Sequence, residues 1–160
     1  QADIGIFMRR PKQLNYIQNM LIDINYHIYG SPKYLEKYGF PKNTSDLNKH
    51  SFISFGRGAP SPVYNPDWAL KLGTKDNKKR KTVMKVNSVY GLLLAVQSGV
   101  GLAALPDYIT VNQPNIVKVL PNIEGPITEA HFVYPQSMKN VARVQAFRNF
   151  LYSKISEWEF

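Results

Sequence analysis

Cysteine is absent from the 160 residues of this sequence, and long uninterrupted apolar runs are absent as well. The lack of cysteine excludes disulfide bonds, thiolate metal sites and a cysteine nucleophile. The longest apolar run covers residues 91–96, whereas a membrane-spanning helix needs about 20 residues. The opening residues contain no basic and apolar leader of the secretory kind. Hydrophobic residues still make up 44% of the chain, which is enough for a packed core.

Acidic residues are scarce: 11 Asp and Glu stand against 20 Lys and Arg, which gives a net charge of +9. A positive surface attracts nucleic acids, anionic lipids and anionic ligands, but net charge alone indicates solubility and steering rather than a function. The most basic stretch consists of Lys78, Lys79, Arg80 and Lys81. It lacks the interleaved aromatic residues of single-strand binders. We therefore predict a solvated hairpin tip there.

The sequence has no pattern that is typical of catalysis or metal binding. His27, His50 and His131 are far apart, and no other ligand type stands at a motif-like spacing from them. The G-x-S-x-G pattern of serine hydrolases is missing, and so is a close carboxylate pair at a strand end. We expect Asp3 and Asp107 to form local hydrogen bonds. The sequence predicts no active site, no metal site and no cofactor.

Strand patterns alternate with helical patterns along the chain, which indicates an α/β architecture. Strands are predicted at residues 2–7, 20–30, 51–56, 67–73, 81–87, 102–106, 115–121 and 130–135, with 67–73 and 81–87 flanking the turn at 74–80. Helices or helical turns are predicted at residues 31–39, 43–50, 88–98, 106–110 and 139–158. Residues 9–15 and the proline-rich residues 57–66 are expected to be connections.

Residues that begin and end helices support several of these predictions. Ser31 can cap the helix at 31–39, Pro32 stands at its first position, and Gly39 follows its last turn. We expect Thr44 or Ser45 to cap the turn at 43–50. The helix at 139–158 has apolar residues at three- and four-residue spacing, namely Val141, Val144, Phe147, Leu151 and Ile155.

The G-x-G of Gly99 to Gly101 resembles a phosphate-binding loop only superficially. In a nucleotide-binding fingerprint the glycines follow a strand and precede a helix, whereas here they follow the helix and precede the strand. We predict that Gly99 ends the helix in the left-handed region and that Gly101 permits close packing. The other end of the helix is opened by Asn87 and Ser88, where free N–H groups favour a small anion or a polar ligand. Simple N-capping by either residue is the alternative.

Residues 86–109, VNSVYGLLLAVQSGVGLAALPDYI, resemble the ligand-binding domain of LysR-type transcriptional regulators, which shows a "VN(D/S)…lla…aGlGia.LP" segment. Three further stretches resemble that family in the same order. They are residues 2–7 (ADIGIF), residues 24–56 (INYHIYGSPKYLEKYGFPKNTSDLNKHSFISFG) and residues 116–151 (IVKVLPNIEGPITEAHFVYPQSMKNVARVQAFRNFL). The resemblance therefore covers nearly the whole chain.

This resemblance implies an α/β, periplasmic-binding-protein-like fold of two lobes, with an effector bound in the cleft between them. Residues 1–29 would be part of the first lobe with a crossover strand, 30–127 the complete second lobe, and 128–160 the return crossover and the C-terminal helix. The crossover strands would lie near residues 21–29 and 129–134. We expect the chain to lack earlier elements of the first lobe, a linker helix and a helix-turn-helix domain. It would then not bind DNA by itself, and the apolar stripe of its last helix would need a second chain.

The resemblance also suggests residues that line the effector site. From the first lobe these are Phe7 and Met8, near a position where other members often have arginine, so that this wall is less polar. The remaining candidates lie at a strand end, at a helix start and after a turn: Ser54, Phe55, Gly56, Asn87, Ser88, Val89, Gly101 and Leu102. Phe55 and Leu102 fit an ordinary core position equally well.

The function implied is that of the effector-sensing domain of a cytoplasmic, DNA-binding transcriptional regulator. Its ligand would be a small organic effector, for instance a carboxylate or an aromatic acid. The full-length protein would be a homo-oligomer, a dimer or a tetramer, and would bind DNA only through the helix-turn-helix. The alternative is a periplasmic solute-binding protein of a transporter. An enzyme of related architecture is a third reading, which the absence of a nucleophile, base or metal site disfavours.

Overall fold

The computed structural model describes residues 3–8, 15–56 and 67–158. Its contacts divide the chain into two compact units: residues 1–24 with 127–160 form the terminal unit, and residues 25–126 form the central unit. The segment boundaries implied by the resemblance, after residues 29 and 127, stay predictions. In the described part of the chain no helix has the length and apolar character needed to cross a membrane.

Strands and helices alternate along the described residues, as the α/β prediction requires. The strands are β1 Gly5–Phe7, β2 Tyr16–Ile24, β3 Tyr26–Gly30, β4 Phe52–Phe55, β5 Thr82–Val86, β6 Ala103–Pro106, β7 Val117–Val119 and β8 Thr128–Pro135. The helices are α1 Pro32–Tyr38, α2 Trp68–Lys71, α3 Val89–Gln97 and α4 Ala142–Ser156. Short 3-10 turns occupy Asp46–Lys49, Lys75–Asn77, Asp107–Ile109 and Gln136–Met138.

The terminal unit contains an antiparallel sheet of order β1-β8-β2, with β8 in the middle. Phe132 of β8 pairs with Ile6 on one side and Asn19 on the other. Helix α4 covers this sheet, since its buried Val144 packs with Phe132 and Tyr134. The amphipathic helix predicted at 139–158 is confirmed, although Val144 is its one fully buried residue among those described.

The central unit is built on a sheet in which β3 lies between β6 and β7 and pairs with both in antiparallel orientation. Strands β4 and β5 form a parallel pair. Leu102 connects the two sets, because its carbonyl accepts a hydrogen bond from the Ile53 N–H (2.8 Å) and its N–H donates to the Ser51 carbonyl (2.9 Å). This linkage places β4 beside β6 and makes one continuous layer.

Apolar clusters cover both faces of the central layer, and the alternation of residues along β4 decides which cluster each residue joins. Phe52 joins the cluster on the α1 and α2 face, with Ile28 and Leu70. Ile53 joins the cluster on the α3 face, with Leu93. Both strand residues are at most 2% exposed, so each contributes on the order of 2 kcal/mol of hydrophobic stabilisation.

The sequence signals for α1 and for the end of α3 are confirmed. The Ser31 hydroxyl accepts a hydrogen bond from the Tyr34 N–H at 3.2 Å, and Gly39 ends α1 with φ +87°. Gly99 follows α3 with φ +80°, in the left-handed region that favours glycine. A Cβ on Gly101 would lie 2.6 Å from the Ser51 carbonyl oxygen, so the close packing predicted there is also confirmed.

The single strand predicted at residues 20–30 is wrong. The chain forms two strands, β2 and β3, which are interrupted at Asn25 and belong to the sheets of different units. The alternation of apolar residues does not hold in β3, because all five of its residues are buried. A strand that is covered on both faces has no polar face, so its pattern cannot show where it ends. Strand β2 also starts at Tyr16, earlier than predicted.

The strand predicted at residues 67–73, and the hairpin built on it, are wrong as well. Residues Trp68–Lys71 form helix α2, and the Leu70 N–H donates to the Asp67 carbonyl at 3.0 Å. Alanine, leucine and lysine are good helix formers, and the apolar alternation was too short to decide between the two structures. Strand β5 pairs with β4 in parallel, so Lys78 to Lys81 do not form a hairpin tip.

The cap predicted for the turn at 43–50 was assigned to the wrong residue. Asn43 Oδ1 accepts hydrogen bonds from the N–H groups of Ser45 (3.0 Å) and Asp46 (3.1 Å). Ser45 stands at the N-cap position of the 3-10 turn, as one of the two predicted residues, but its side chain makes no capping hydrogen bond. The connections predicted at residues 9–15 and 57–66 lie outside the described residues except for Asn15.

Candidate functional site

The candidate site of the central unit begins where β4 and β5 end side by side. Phe55 pairs with Val86, and the Gly56 N–H donates to the Val86 carbonyl at 2.7 Å. Because the two strands are parallel, their carboxyl ends emerge at the same edge of the sheet. The predicted residues Ser54 to Gly56 and Asn87 to Val89 therefore come together here. We call this place the Gly56–Asn87 edge.

Helix α3 begins at this edge with a capped first turn. The Ser88 hydroxyl accepts a hydrogen bond from the Gly91 N–H at 3.3 Å, and the Ser88 carbonyl accepts one from Leu92 at 3.0 Å. The capping alternative is thus confirmed for Ser88. The N–H groups of Val89 and Tyr90 precede the first intrahelical bonds of α3 and have no partner within the helix. Together with the exposed Asn87 side chain, they can hold a carbonyl or carboxylate oxygen.

The side chains at the end of β4 point to opposite faces of the sheet. Phe55 packs with Val86 against the cluster under α3. Ser54 points to the α2 face and is 6% exposed. The expectation that Phe55 serves equally as core is consistent with this packing.

Gly101 and Leu102 lie away from the Gly56–Asn87 edge. Leu102 bridges to Phe52 at the amino end of β4, three residues before Phe55 and therefore roughly 10 Å along the strand. It is fully buried, and Gly101 packs on Ser51. In this structure both residues support the sheet rather than the edge where a ligand would bind.

Phe7 and Met8 belong to the terminal unit. Phe7 is the last residue of β1, pairs with His131 of β8, and is 48% exposed. Met8 follows directly and is half-buried. Their predicted contact with an effector rests on the resemblance alone.

A small cavity of about 120 Å³, which we call the Ser54 pocket, adjoins the β4 end on the α2 face. The sequence did not predict it, because its residues come from separate segments and only their pairing in the sheet brings them together. It is lined by Ser54, Phe55, Asp67, Leu70, Lys79, Arg80, Thr82 and Lys85.

Two of the basic residues that were assigned to a solvated tip hold this region together. The Arg80 guanidinium donates to Asn48 Oδ1 (2.9 Å) and to the carbonyls of Ala69 and Thr44 (both 3.1 Å). Burial lowers the pKa of Arg80 from its ordinary value, although a guanidinium stays charged in proteins. Lys79 forms an ion pair with Asp67 at 2.6 Å.

A buried polar cluster surrounds Asp107, which is 4% exposed. The Tyr29 hydroxyl donates to Oδ1 and the Lys118 ammonium to Oδ2, both at 2.9 Å, and His27 Nδ1 lies 2.9 Å from Oδ1. The local hydrogen bonds predicted for Asp107 are therefore only part of its environment. Burial raises the pKa of Tyr29. The Asp107 carboxylate therefore has a structural role: it connects the end of β6 to β3 and β7.

The other titratable residues that the sequence singled out have ordinary surroundings. Asp3 lies 3.6 Å from the Arg143 guanidinium, with both side chains largely exposed. His131 lies 3.3 Å from Glu129. Burial lowers the pKa of His50. Within residues 3–8, 15–56 and 67–158, no group of three or more His, Cys, Asp or Glu is placed to hold a metal ion.

Comparison with solved structures first defines the class of fold. The regulatory domain of CrgA, a LysR-type transcriptional regulator from Neisseria meningitidis, superposes with a TM-score of 0.80 at 22% identity. The match covers 96% of this chain and 76% of that one. The shared architecture is the periplasmic-binding-protein-like α/β fold that the sequence indicated.

The family follows from the sequence comparison. The chain belongs to the LysR substrate-binding domain family, which it matches over residues 1–155. This is a family of transcriptional regulators and not of enzymes.

Curated relatives agree with this assignment. An HTH-type transcriptional regulator of Haemophilus influenzae is 31% identical over 113 residues, which are 68% of this chain and 38% of that protein. A second, from Xanthomonas campestris, is 22% identical over 160 residues, which are 98% of this chain and 46% of that protein. The chain thus spans less than half the length of these relatives.

Proposed function

We propose that the chain senses a small organic effector on behalf of a DNA-binding transcriptional regulator. In the whole protein a helix-turn-helix segment binds DNA, the chains assemble as a homo-oligomer, a dimer or a tetramer, and the protein works in the cytoplasm. Effector binding acts by favouring one arrangement of the oligomer over another. The observation that carries the proposal is the family match over residues 1–155, which coincides with a ligand-competent edge in the central unit.

We place the effector at the Gly56–Asn87 edge. There Gly56 adds no side chain, Asn87 offers an exposed amide, and the first turn of α3 offers N–H groups. Ser54 and Phe55 form the adjoining wall. Gly101 and Leu102 act through packing, and Phe7 and Met8 are the proposed contribution of the terminal unit. A carboxylate or an aromatic acid fits donors of this kind beside an apolar ring.

Substitution of Ser88 separates ligand binding from helix capping. Aspartate caps helices as well as serine does and suits the helix dipole, so Ser88→Asp should leave α3 intact. Its negative charge would repel an anionic effector at the same N–H groups. We expect an acid that is found by screening small organic acids to bind Ser88→Asp at least about tenfold more weakly, since a charged hydrogen bond contributes about 1.5–3 kcal/mol.

Two further variants complete this experiment. Asn87→Ala should also weaken binding, whereas Ser137→Ala, an exposed serine of the terminal unit, should not change it. Calorimetric titration measures the affinities, and thermal melting checks that each variant is folded. Unchanged affinity in both Ser88→Asp and Asn87→Ala would remove the ligand from this edge.

The solute-binding alternative predicts a different whole protein. A solute carrier would bind its ligand without any effect on DNA, whereas the proposed regulator would bind an operator and change its DNA affinity when the effector is added. The relatives described above are regulators. An electrophoretic mobility assay with the full-length protein decides between the two.

A further inference from the structure

The pairing of β4 with β5 places three polar side chains on one face of the sheet. Ser54 pairs with Lys85, and residues that pair across neighbouring strands point to the same face. Thr82 pairs with Phe52, whose side chain lies on that face too. An irregularity between Phe52 and Ile53 shifts the register, so that Thr82 and Lys85 share a face although they are three residues apart.

Among these three residues, Ser54 has a hydroxyl that lies at the wall of the Ser54 pocket. Its residue is 6% exposed and lines the Ser54 pocket. Across the described ranges, no hydrogen bond to this hydroxyl is found. Its oxygen is not among the fully buried, unpartnered side-chain atoms of the described residues, so the hydroxyl is open to the pocket. A hydroxyl that faces the cavity can donate a hydrogen bond to a ligand atom there.

The charges around the pocket favour a negative ligand. Lys85 is exposed and no acid among residues 3–8, 15–56 and 67–158 pairs with it. Asp67, the one acid of the lining, is offset by its ion pair with Lys79 at 2.6 Å. Arg80 adds a further positive charge, while its hydrogen bonds to Asn48, Ala69 and Thr44 fix its position. The pocket thus has an excess of positive charge beside two hydroxyl groups.

The size of the pocket limits what it can hold. A volume of about 120 Å³ accommodates a carboxylate or a phosphate group but not a whole aromatic acid. Because Ser54 and Phe55 also form the wall of the Gly56–Asn87 edge, a ligand at that edge can extend an anionic group into the pocket. We propose that Ser54, Thr82 and Lys85 form an anion subsite that takes an oxyanion group of the effector. This inference rests on the proposed function.

The experiment uses three probes with the 160-residue chain: benzoate, inorganic phosphate and the neutral benzamide. Binding is followed by the backbone amide shifts of Ser54, Thr82 and Lys85 in ¹⁵N NMR spectra. We expect an anion to shift these amides and benzamide to leave them in place. A response to benzoate identifies an organic carboxylate as the natural group, and a response to phosphate identifies a phosphorylated ligand or free phosphate.

Variants test the residues one by one. Lys85→Met should weaken anion binding about tenfold and Ser54→Ala about fivefold, as expected for a charged and a neutral hydrogen bond. Lys42→Met is the matched control, because Lys42 is also exposed but lines a different cavity, and it should not change the affinity. Circular dichroism confirms that each variant is folded.

Some results would overturn the subsite and leave the regulator function intact. The subsite is wrong if no anion shifts these amides, if benzamide shifts them equally, or if Lys85→Met binds as tightly as the original chain. A screened effector that binds Ser88→Asp weakly but Lys85→Met normally would support the edge and refute the subsite. An effector that is indifferent to both variants would refute both proposals.

Discussion

Asp107 is a residue whose partners come from distant parts of the chain. His27 and Tyr29 lie on β3 and Lys118 lies on β7, and all three contact its carboxylate. Sequence spacing cannot show such a cluster, because 80 residues separate Asp107 from His27. The sequence could indicate only that an aspartate after a strand makes hydrogen bonds.

Removing the charge of Asp107 should destabilise the protein. Asp107→Asn leaves Lys118 and His27 facing a neutral amide, and we expect a loss of about 2–3 kcal/mol in the free energy of unfolding, measured in urea. Asp3→Asn is the control: its ion pair with Arg143 is exposed, so the loss should stay below about 0.5 kcal/mol. Equal losses in the two variants would contradict the structural role of Asp107.

Tyr29 should make stability depend on pH in the alkaline range. Burial raises its pKa in the folded state, whereas in the unfolded chain it ionises near its ordinary value of about 10. The contribution of Tyr29 to the free energy of unfolding is complete below about pH 10. It falls as the pH rises above about 10, because only the unfolded state then loses the proton. Tyr29→Phe should reduce the decrease of the free energy of unfolding with pH by up to about 1.4 kcal/mol per pH unit. Urea unfolding between pH 9 and 11 measures it, and an unchanged slope would contradict it.

Gly101 should tolerate no side chain. The methyl of Gly101→Ala would lie 2.6 Å from the Ser51 carbonyl oxygen, so we expect a loss of about 1–3 kcal/mol. Gly56 is the matched control, because among the described residues a Cβ there has no neighbour nearer than 3.6 Å. Gly56→Ala should therefore change thermal stability little. If Gly56→Ala lost thermal stability and Gly101→Ala did not, the close packing at Gly101 described here would be contradicted.

At the scale of elements, local signals succeeded where the chain itself determines the structure. Ser31 and Gly39 mark the ends of α1 correctly, and Gly99 marks the end of α3. The local sequence signals failed where packing against other parts of the protein determines the secondary structure. The fully buried β3 has no polar face, and α2 is too short for its period to be distinguished from that of a strand.

The same limit applies to the candidate site. Strand β5 was predicted correctly, but its parallel pairing with β4 could not be, since pairing is a long-range choice. The helix start at Asn87 and Ser88 indicated a polar-ligand site by itself, and the resemblance added Ser54, Phe55 and Gly56. The Ser54 pocket, which depends on the register between β4 and β5, was visible only in the structure.

The cap on the 46–49 turn provides a test at this scale. Asn43→Ala removes the oxygen that accepts from two backbone N–H groups and should cost about 1 kcal/mol. Ser45→Ala, the cap expected from the sequence, should cost less than half as much, because its hydroxyl bonds only to Asn43. Chemical unfolding of both variants compares them. A larger effect at Ser45 would restore the original prediction.

At the scale of the whole molecule, the terminal unit exposes aromatic residues of α4. Phe147 is 39% exposed and Phe150 is 54% exposed, and their rings stack at 6.3 Å. We predict that the chain self-associates through this face, because exposed aromatic pairs favour burial in an interface. Sedimentation velocity should show a concentration-dependent dimer that Phe150→Ser weakens.

The control for self-association is Tyr38→Ser in the central unit. Tyr38 is equally exposed, at 53%, but lies outside α4, so the variant should associate as the original chain does. A monomer at all concentrations would contradict the prediction, and so would equal effects of the two variants.

The central claim is that an effector binds at the Gly56–Asn87 edge. The most direct measurement is a map of the amide shifts of the chain in ¹⁵N NMR spectra during titration with an acid from the screen. We predict that the largest shifts lie at Gly56, Asn87 and Val89, with little change at Leu102, which is buried at the other end of β4. Shifts that cluster away from this edge while the acid binds tightly would contradict the claim.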